Sequence, residues 1–228
     1  MHWPRANLAD LKNGYIYAPP DTPLEIIHAD EALLIVNKPA ELLSVPGKAL
    51  EHRDCLETRL RDEYPETLLV HRLDLPTSGV MVFACTKAAQ RHIGMQFEKR
   101  QTRKTYVARV WGNVTEDTGH IDLPLIVDWP NKPKQMVCYE NGKPSQTDWV
   151  VIERDATTTR VRLHPKTGRT HQLRVHMLAI GHPILGDRFY STGEAFAAAD
   201  RMLLHSEELV LRHPIGGEEM TFRSEVPF

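Results

Sequence analysis

Val70-His71-Arg72-Leu73-Asp74-Leu75-Pro76-Thr77-Ser78-Gly79-Val80 decides how the rest of the chain is read. It leaves an apolar run, Leu68-Leu69-Val70, crosses a polar turn with proline and glycine, and enters a second apolar run from Val80 to Cys85. The pattern predicts strand, turn, strand. A carboxylate at Asp74 would sit on a turn held at both ends by sheet and face outward, where functional groups keep their geometry. The same position suits an Asx-turn, in which an aspartate only accepts backbone N–H groups. Position alone leaves both open.

Outward from that stretch, 228 residues with 41% hydrophobic and 25% charged side chains are enough for one large domain, or two small ones, with a proper core. No apolar run reaches membrane-span length, and the start, Met-His-Trp-Pro-Arg, does not suit a secretory signal. Cys55, Cys85 and Cys138 are far apart and form no CxxC pair, so reduced, mostly buried cysteines of a cytoplasmic protein are expected. The net charge of −2 conceals an uneven distribution. Residues 1–70 carry 7 Lys and Arg against 12 Asp and Glu, and residues 187–228 carry 4 against 8, while residues 71–186 carry 17 against 10. From Ala156 to Gly186 there is no acidic residue. A basic middle suits a face that follows phosphates, although basic residues also cluster on ordinary solvated faces.

Residues 1–23, with four prolines, read as an extended arm, and the domain is expected over 24–228. Leu24–Ala29 and Ala32–Lys38 read as a hairpin. Asp54 is expected to cap a helix through Tyr64, and Thr86 one from Lys87 to Lys99. Arg103–Gly112, Gln135–Tyr139, Thr147–Glu153 and Thr159–His164 read as strands. In the last of these Val161 and Leu163 face one side, and Arg160, Arg162 and His164 the other. Thr170 is expected to cap a helix to Ile180, ended by Gly181, with Leu173, Met177 and Ile180 in the core. Met202–Leu204, Leu209–Leu211 and Met220–Arg223 add late apolar runs. The irregular mixture of hairpins and helices predicts an α+β fold, a mixed, mainly antiparallel sheet with helices packed on it.

His71-Arg72-Leu73-Asp74 followed by Thr77-Ser78-Gly79 resembles the signature of the RluA family of pseudouridine synthases. So do Val36-Asn37-Lys38-Pro39, Lys104-Thr105-Tyr106-Val107-Ala108, Gly168-Arg169-Thr170-His171-Gln172-Leu173-Arg174-Val175-His176 and Gly181-His182-Pro183-Ile184-Leu185-Gly186-Asp187, in the family's order across residues 26–223. The resemblance implies the pseudouridine synthase fold with a central basic cleft. Many relatives carry a small S4-like RNA-binding domain ahead of this core. None is expected here, so the catalytic domain must bind RNA by itself.

The implied chemistry is isomerisation: the N1–C1′ bond of a uridine breaks, the base turns and C5 joins C1′. It calls for no cofactor and no metal. It calls for an ionised carboxylate where positive charge builds at C1′, as in glycosidases, and the matching residue is Asp74. The resemblance pairs Asp74 with Arg174, whose alternatives are a phosphate contact or a surface charge. It stacks Tyr106 on the uracil, where alternation alone favours core. It lets Arg72 fill the stack vacated by an extruded nucleotide, with an ion pair inside the fold as the alternative. Arg103, Lys104, Arg160, Arg162, Lys166, Arg169 and His171 are candidate RNA contacts, and Trp129–Lys134 a basic loop. Asp122-Leu123-Pro124-Leu125, Asp128-Trp129-Pro130-Asn131 and Gly142-Lys143-Pro144 further resemble the family member acting on both a 23S rRNA stem-loop and the tRNA anticodon stem-loop. No obligate protein partner is apparent.

Two other readings fit parts of the sequence. One is a structured-RNA-binding protein without catalysis, which the joint presence of Asp74, Tyr106 and Arg174 disfavours. The other is a metal-dependent hydrolase using His164, His171, His176 and His182, which lack HExxH or i,i+4 spacing. No Walker loop, GxGxxG or GxSxG is present.

Overall fold

Two half-sheets meet along one parallel seam. The structure is a computed structural model that describes residues 17–228. The first half holds Glu25–Ala29 (β1), Leu33–Lys38 (β2), Leu68–Leu69 (β3) and Ser78–Ala84 (β4). The second holds Arg103–Trp111 (β5), Thr118–Asp122 (β6), Gln146–Arg154 (β9), Thr158–Pro165 (β10), Leu204–Arg212 (β11) and Glu219–Arg223 (β12). The strand order is β1-β2-β4-β11-β5-β10-β9-β6, with β3 beside β4 and β12 beside β11. Among the described residues only the β4–β11 pair is parallel; the other pairings are antiparallel. Leu125–Val127 (β7) and Gln135–Val137 (β8) form a separate hairpin. This is the expected α+β architecture.

Helices cover the sheet on both faces. Leu56–Glu63 (α1) packs Leu56 and Leu60 with Leu34, Val36, Met81 and Phe83. Lys87–Glu98 (α2) packs Ala89 and Ile93 with the alternate residues Ile35, Val80 and Val82, so it lies on the opposite face. Gln172–Ala179 (α3) buries Leu173 and Met177 against Ala108, Leu163 and Leu204. A short helix, Gly193–Ala197 (α4), follows. Tyr106 packs against both the α1 and the α3 clusters, so it marks where the two half-cores join.

Several expected boundaries are corrected. Thr86 caps α2 as predicted, accepting from Ala89 N–H. Asp54 does not cap α1: Cys55 does, in a capping box with Thr58, while Asp54 pairs with Arg59 at 2.7 Å. Thr170 does not cap α3; His171 does, in the left-handed region. The apolar runs at 202–204 and 209–211 are not separate strands. Leu204 to Leu211 belongs to one strand, interrupted by a register shift between Ser206 and Glu208. Residues 1–16 of the expected arm lie outside the described residues. Tyr17 is buried, and its hydroxyl donates to the Asp54 carbonyl at 2.7 Å. Of the free cysteines Cys55 is buried, while Cys85 and Cys138 are only partly so. No helix among the described residues is long and apolar enough to cross a membrane.

Candidate active site

The seam sets the position of Asp74. At its start His205 pairs with Ser78 and Ser206 with Gly79. The residues just before Ser78 must therefore turn away over the junction, next to Tyr106. Thr77 N–H closes that turn on the main-chain carbonyl of Asp74 at 3.0 Å. The Asp74 carboxylate is not used for the turn, and the Asx-turn alternative falls away.

Two side chains pin the turn from behind. Ser44 Oγ donates to the Leu73 carbonyl at 2.7 Å, and Leu73 N–H returns a bond to it at 3.2 Å. Lys38, fully buried at the end of β2, donates to the carbonyls of Pro39 (2.9 Å), Leu42 (2.7 Å) and Leu75 (3.1 Å). Its three N–H donors are thus all used, one on the residue after Asp74. Burial pulls its pKa down to about 7, against the opposing charges of Asp74 and Glu41. Nearby, His71 Nε2 accepts the N–H of Val82, and its ring stacks on Phe97. Burial pushes its pKa down to about 3, so it is a neutral structural acceptor.

Arg174 meets the carboxylate from α3. Its Nη1 donates to Asp74 Oδ2 at 3.1 Å, while Nε and Nη2 donate to the two oxygens of Asp187 at 2.7 Å each. Asp187 is completely buried and Arg174 is 3% exposed, whereas the Asp74 side chain is 27% exposed. Burial works against the guanidinium charge, but hydrogen bonds and charges from Asp187 and Asp74 outweigh it and hold the pKa above the ordinary arginine value. The fork grips the buried carboxylate bidentately and turns an Nη1 N–H to the accessible one. Gly186 makes this possible: at φ +68°, a Cβ there would stand 2.1 Å from the Arg201 carbonyl oxygen.

Asp74 lies between two concavities. A pocket of about 120 Å³ is lined by Arg72, Asp74, Lys104, Tyr106, Arg169 and Arg174, among others. A wider cleft of about 500 Å³ on the other side includes Lys132, Lys134, His171 and Phe189. Tyr106 is half-buried, and burial, with Asp74 adding to it, pushes its phenol up to about 12. Arg72 is exposed at the rim and makes no ion pair among the described residues.

The candidate RNA contacts separate into groups. Lys104 and Arg169 line the pocket, and Lys104, Arg103 and Lys166 line the adjoining groove. Burial and the neighbouring Arg100 bring Lys104 down to about 8. Arg103 pairs with Glu219 at 2.8 Å and Lys166 with Asp148 at 2.7 Å. Arg160 and Arg162 do not converge on Asp74. Leu163 stands opposite Tyr106 and Arg162 opposite Val107, so the two arginines project from the other face of the sheet. The alternation was right but its polar side faces away from the pocket, and Arg162 is taken by Glu207 at 2.9 Å. His171 lines the same pocket as Lys104 and Arg169, but its side chain is only 9% exposed, with Nε2 3.9 Å from Asp74 Oδ2. Among the described residues no group of three His, Cys, Asp or Glu side chains is placed to hold a metal ion.

Comparison with known proteins gives the geometry its setting. Residues 32–179 match the RNA pseudouridylate synthase family. The chain belongs to that family. It is 56% identical over 214 residues to the dual-specificity RNA pseudouridine synthase RluA of Escherichia coli K12, covering 93% of this chain and 98% of that one. The relative of the same name in Yersinia pestis is 55% identical over 89% of this chain and 99% of its own. Among solved structures, human RNA pseudouridylate synthase domain containing 1 superposes with TM-score 0.77 at 31% identity, covering 92% of this chain and 87% of that chain.

In this RNA pseudouridylate synthase the sequence reading missed four residues that build the site. Lys38 and Gly186 stand inside quoted motifs but had no role assigned. Asp187 had none either, although it anchors Arg174. A lysine before proline, or an aspartate after glycine, carries no local sign that its side chain will be buried. Their spacing from Asp74, 36 and 113 residues, is bridged only by the folded sheet. Tyr190, whose hydroxyl lies 2.7 Å from His171 Nδ1, was missed for the same reason.

Proposed function

We propose that this RNA pseudouridine synthase acts on a uridine in a 23S rRNA stem-loop and on one in the tRNA anticodon stem-loop, with Asp74 as its reacting carboxylate. The observation that carries the reading is Asp74 itself: a partly exposed carboxylate, 3.1 Å from a buried arginine, at the mouth of a pocket shared with Tyr106. Arg174 cannot give up its proton at physiological pH, so it keeps a fixed positive charge on Asp74 Oδ2.

The uridine is extruded from its stem-loop into the pocket and stacks on Tyr106, a contact of about 1–3 kcal/mol per base. Arg72, at the rim and without an ion pair among the described residues, takes the place of the lost base. As the N1–C1′ bond breaks, charge builds at C1′ opposite Asp74. The freed uracil turns, C5 bonds to C1′, and the C5 proton leaves as N1 gains one, so no atom is gained or lost overall. The Tyr106 hydroxyl carries the C5 proton. Lys104 and Arg169 hold the flanking phosphates. The close similarity to relatives named as dual-specificity synthases supports the choice of both RNAs.

Release of tritium from uridine labelled at C5 tests this directly. Anticodon stem-loop and 23S rRNA fragments should each release one equivalent per reacting site, and an unstructured uridine-containing oligomer should release none. Release from neither structured RNA would overturn the reading.

A further inference from the structure

A buried polar chain runs behind Asp74 and is not used by the steps above. The Gln135 N–H donates to Tyr190 Oη at 2.8 Å, and that oxygen lies 2.7 Å from His171 Nδ1. The other ring nitrogen of His171, Nε2, faces Asp74 Oδ2 at 3.9 Å. His171 is nine-tenths buried, between Phe189 at 5.8 Å and an edge-on Tyr190 at 5.6 Å. Its backbone sits at φ +54°, an uncommon conformation for a residue with a side chain, at the mouth of the site.

The chain of donors fixes where the His171 proton lies. Tyr190 Oη already accepts from Gln135, so its own proton needs an acceptor, and among the described residues His171 Nδ1 is the one in reach. A neutral imidazole that accepts at Nδ1 carries its hydrogen on Nε2, on the side of Asp74. The opposite tautomer would leave the Tyr190 proton unpaired and aim a nitrogen lone pair at a carboxylate. Burial lowers the pKa of His171 and so favours the neutral ring; Asp74 and Asp187 oppose this and Arg174 adds to it. Arg174 Nη1 and His171 Nε2 address the same oxygen, Oδ2, and Oδ1 has no hydrogen-bond partner among the described residues.

We propose that His171 and Tyr190 are positioning residues: Tyr190 holds His171 as the Nε2–H tautomer, which with Arg174 fixes Oδ2 of Asp74 and leaves Oδ1 to meet C1′. The proposal rests on Asp74 being the reacting carboxylate. It also links the site to the segment that begins at Gln135, directly after the basic loop at 129–134.

Nitrogen-15 NMR of histidine-labelled protein reads the tautomer without any activity measurement. Wild-type His171 should show the Nε2–H pattern, and Tyr190→Phe, which keeps the ring, should shift it toward a tautomer mixture. The single-turnover rate on an anticodon stem-loop should fall about fivefold in Tyr190→Phe, the size expected for loss of one hydrogen bond between neutral groups, with RNA affinity unchanged. His171→Gln, with an amide nitrogen near the Nε2 position, should retain more of the rate than His171→Ala. An Nδ1–H pattern in the wild type overturns the proposal, as does a tautomer shift that leaves the rate unaltered. A wild type that makes no pseudouridine while showing Nε2–H would instead overturn the synthase reading.

Discussion

Gly79 and Ser206 meet backbone to backbone, so closely that a Cβ on Gly79 would stand 2.2 Å from the Ser206 carbonyl oxygen and 2.6 Å from its nitrogen. Gly79 also has φ +111°. This contact closes the one parallel seam of the sheet and so brings the Asp74 turn over Tyr106. Gly79→Ala should lower stability by about 2–4 kcal/mol, combining backbone strain with forced separation of two strands. Urea unfolding measures it. A change below about 0.5 kcal/mol would mean the seam is not close-packed.

Arg174→Lys keeps a positive charge but cannot bond Asp187 through two nitrogens and Asp74 through a third. A fall in stability of about 1–3 kcal/mol is expected from the weakened grip on buried Asp187. The single-turnover rate should drop at least about tenfold as Asp74 loses its partner. Full activity with lysine would show that charge alone suffices.

Acid should weaken the fold through two histidines, partly buried His71 and buried His205. Burial lowers His71 to about 3 and His205 to about 4, from an unfolded value of 6.5. Between those values and 6.5 the unfolded chain binds protons that the folded chain refuses. Their stabilisation is therefore complete above pH 6.5 and is lost as pH falls toward 3, each adding a slope of up to ~1.4 kcal/mol per pH unit. His71→Gln, which can still accept the Val82 N–H, should reduce the slope measured by urea unfolding between pH 4.5 and 6 by about one proton. An unchanged slope would show that His71 is free to protonate in the fold.

The two faces of the sheet should differ in RNA binding. Lys104→Ala and Arg169→Ala, at the pocket, should each weaken stem-loop binding and reduce the salt dependence of the affinity by roughly one ion. Arg162→Ala, on the opposite face and paired with Glu207, should leave both unchanged. Equal effects from all three would mean that RNA wraps around the sheet edge.

Most of the strands were legible because β-rich segments and turn residues mark them locally. The first hairpin, β5, β9 and β10 all fall within a residue or two of their expected ends. Elements that depend on distant partners were not. Ser206-Glu207-Glu208 reads as a break between two apolar runs, yet one strand continues through it because its backbone pairs with β5 on both sides of the register shift. His171, not Thr170, ends the turn before α3, since Thr167 and Arg169 are held by Gln172 Oε1 and the side chain of Thr170 is not needed as a cap. Asp74, Tyr106, Arg174 and Arg72 were legible through the family motifs and do line one pocket. The support behind them, Lys38, Asp187 and Tyr190, was not, because burial of a polar side chain follows from tertiary packing rather than from its neighbours in sequence.

The proposed chemistry depends most on the charge at Asp74, and Asp74→Asn removes that charge with almost no change in shape. With enzyme in excess over an anticodon stem-loop, this variant should bind the RNA as tightly as wild type and form no pseudouridine over hours. Conversion at a rate within about tenfold of wild type would contradict the claim that an ionised carboxylate at this position drives the reaction.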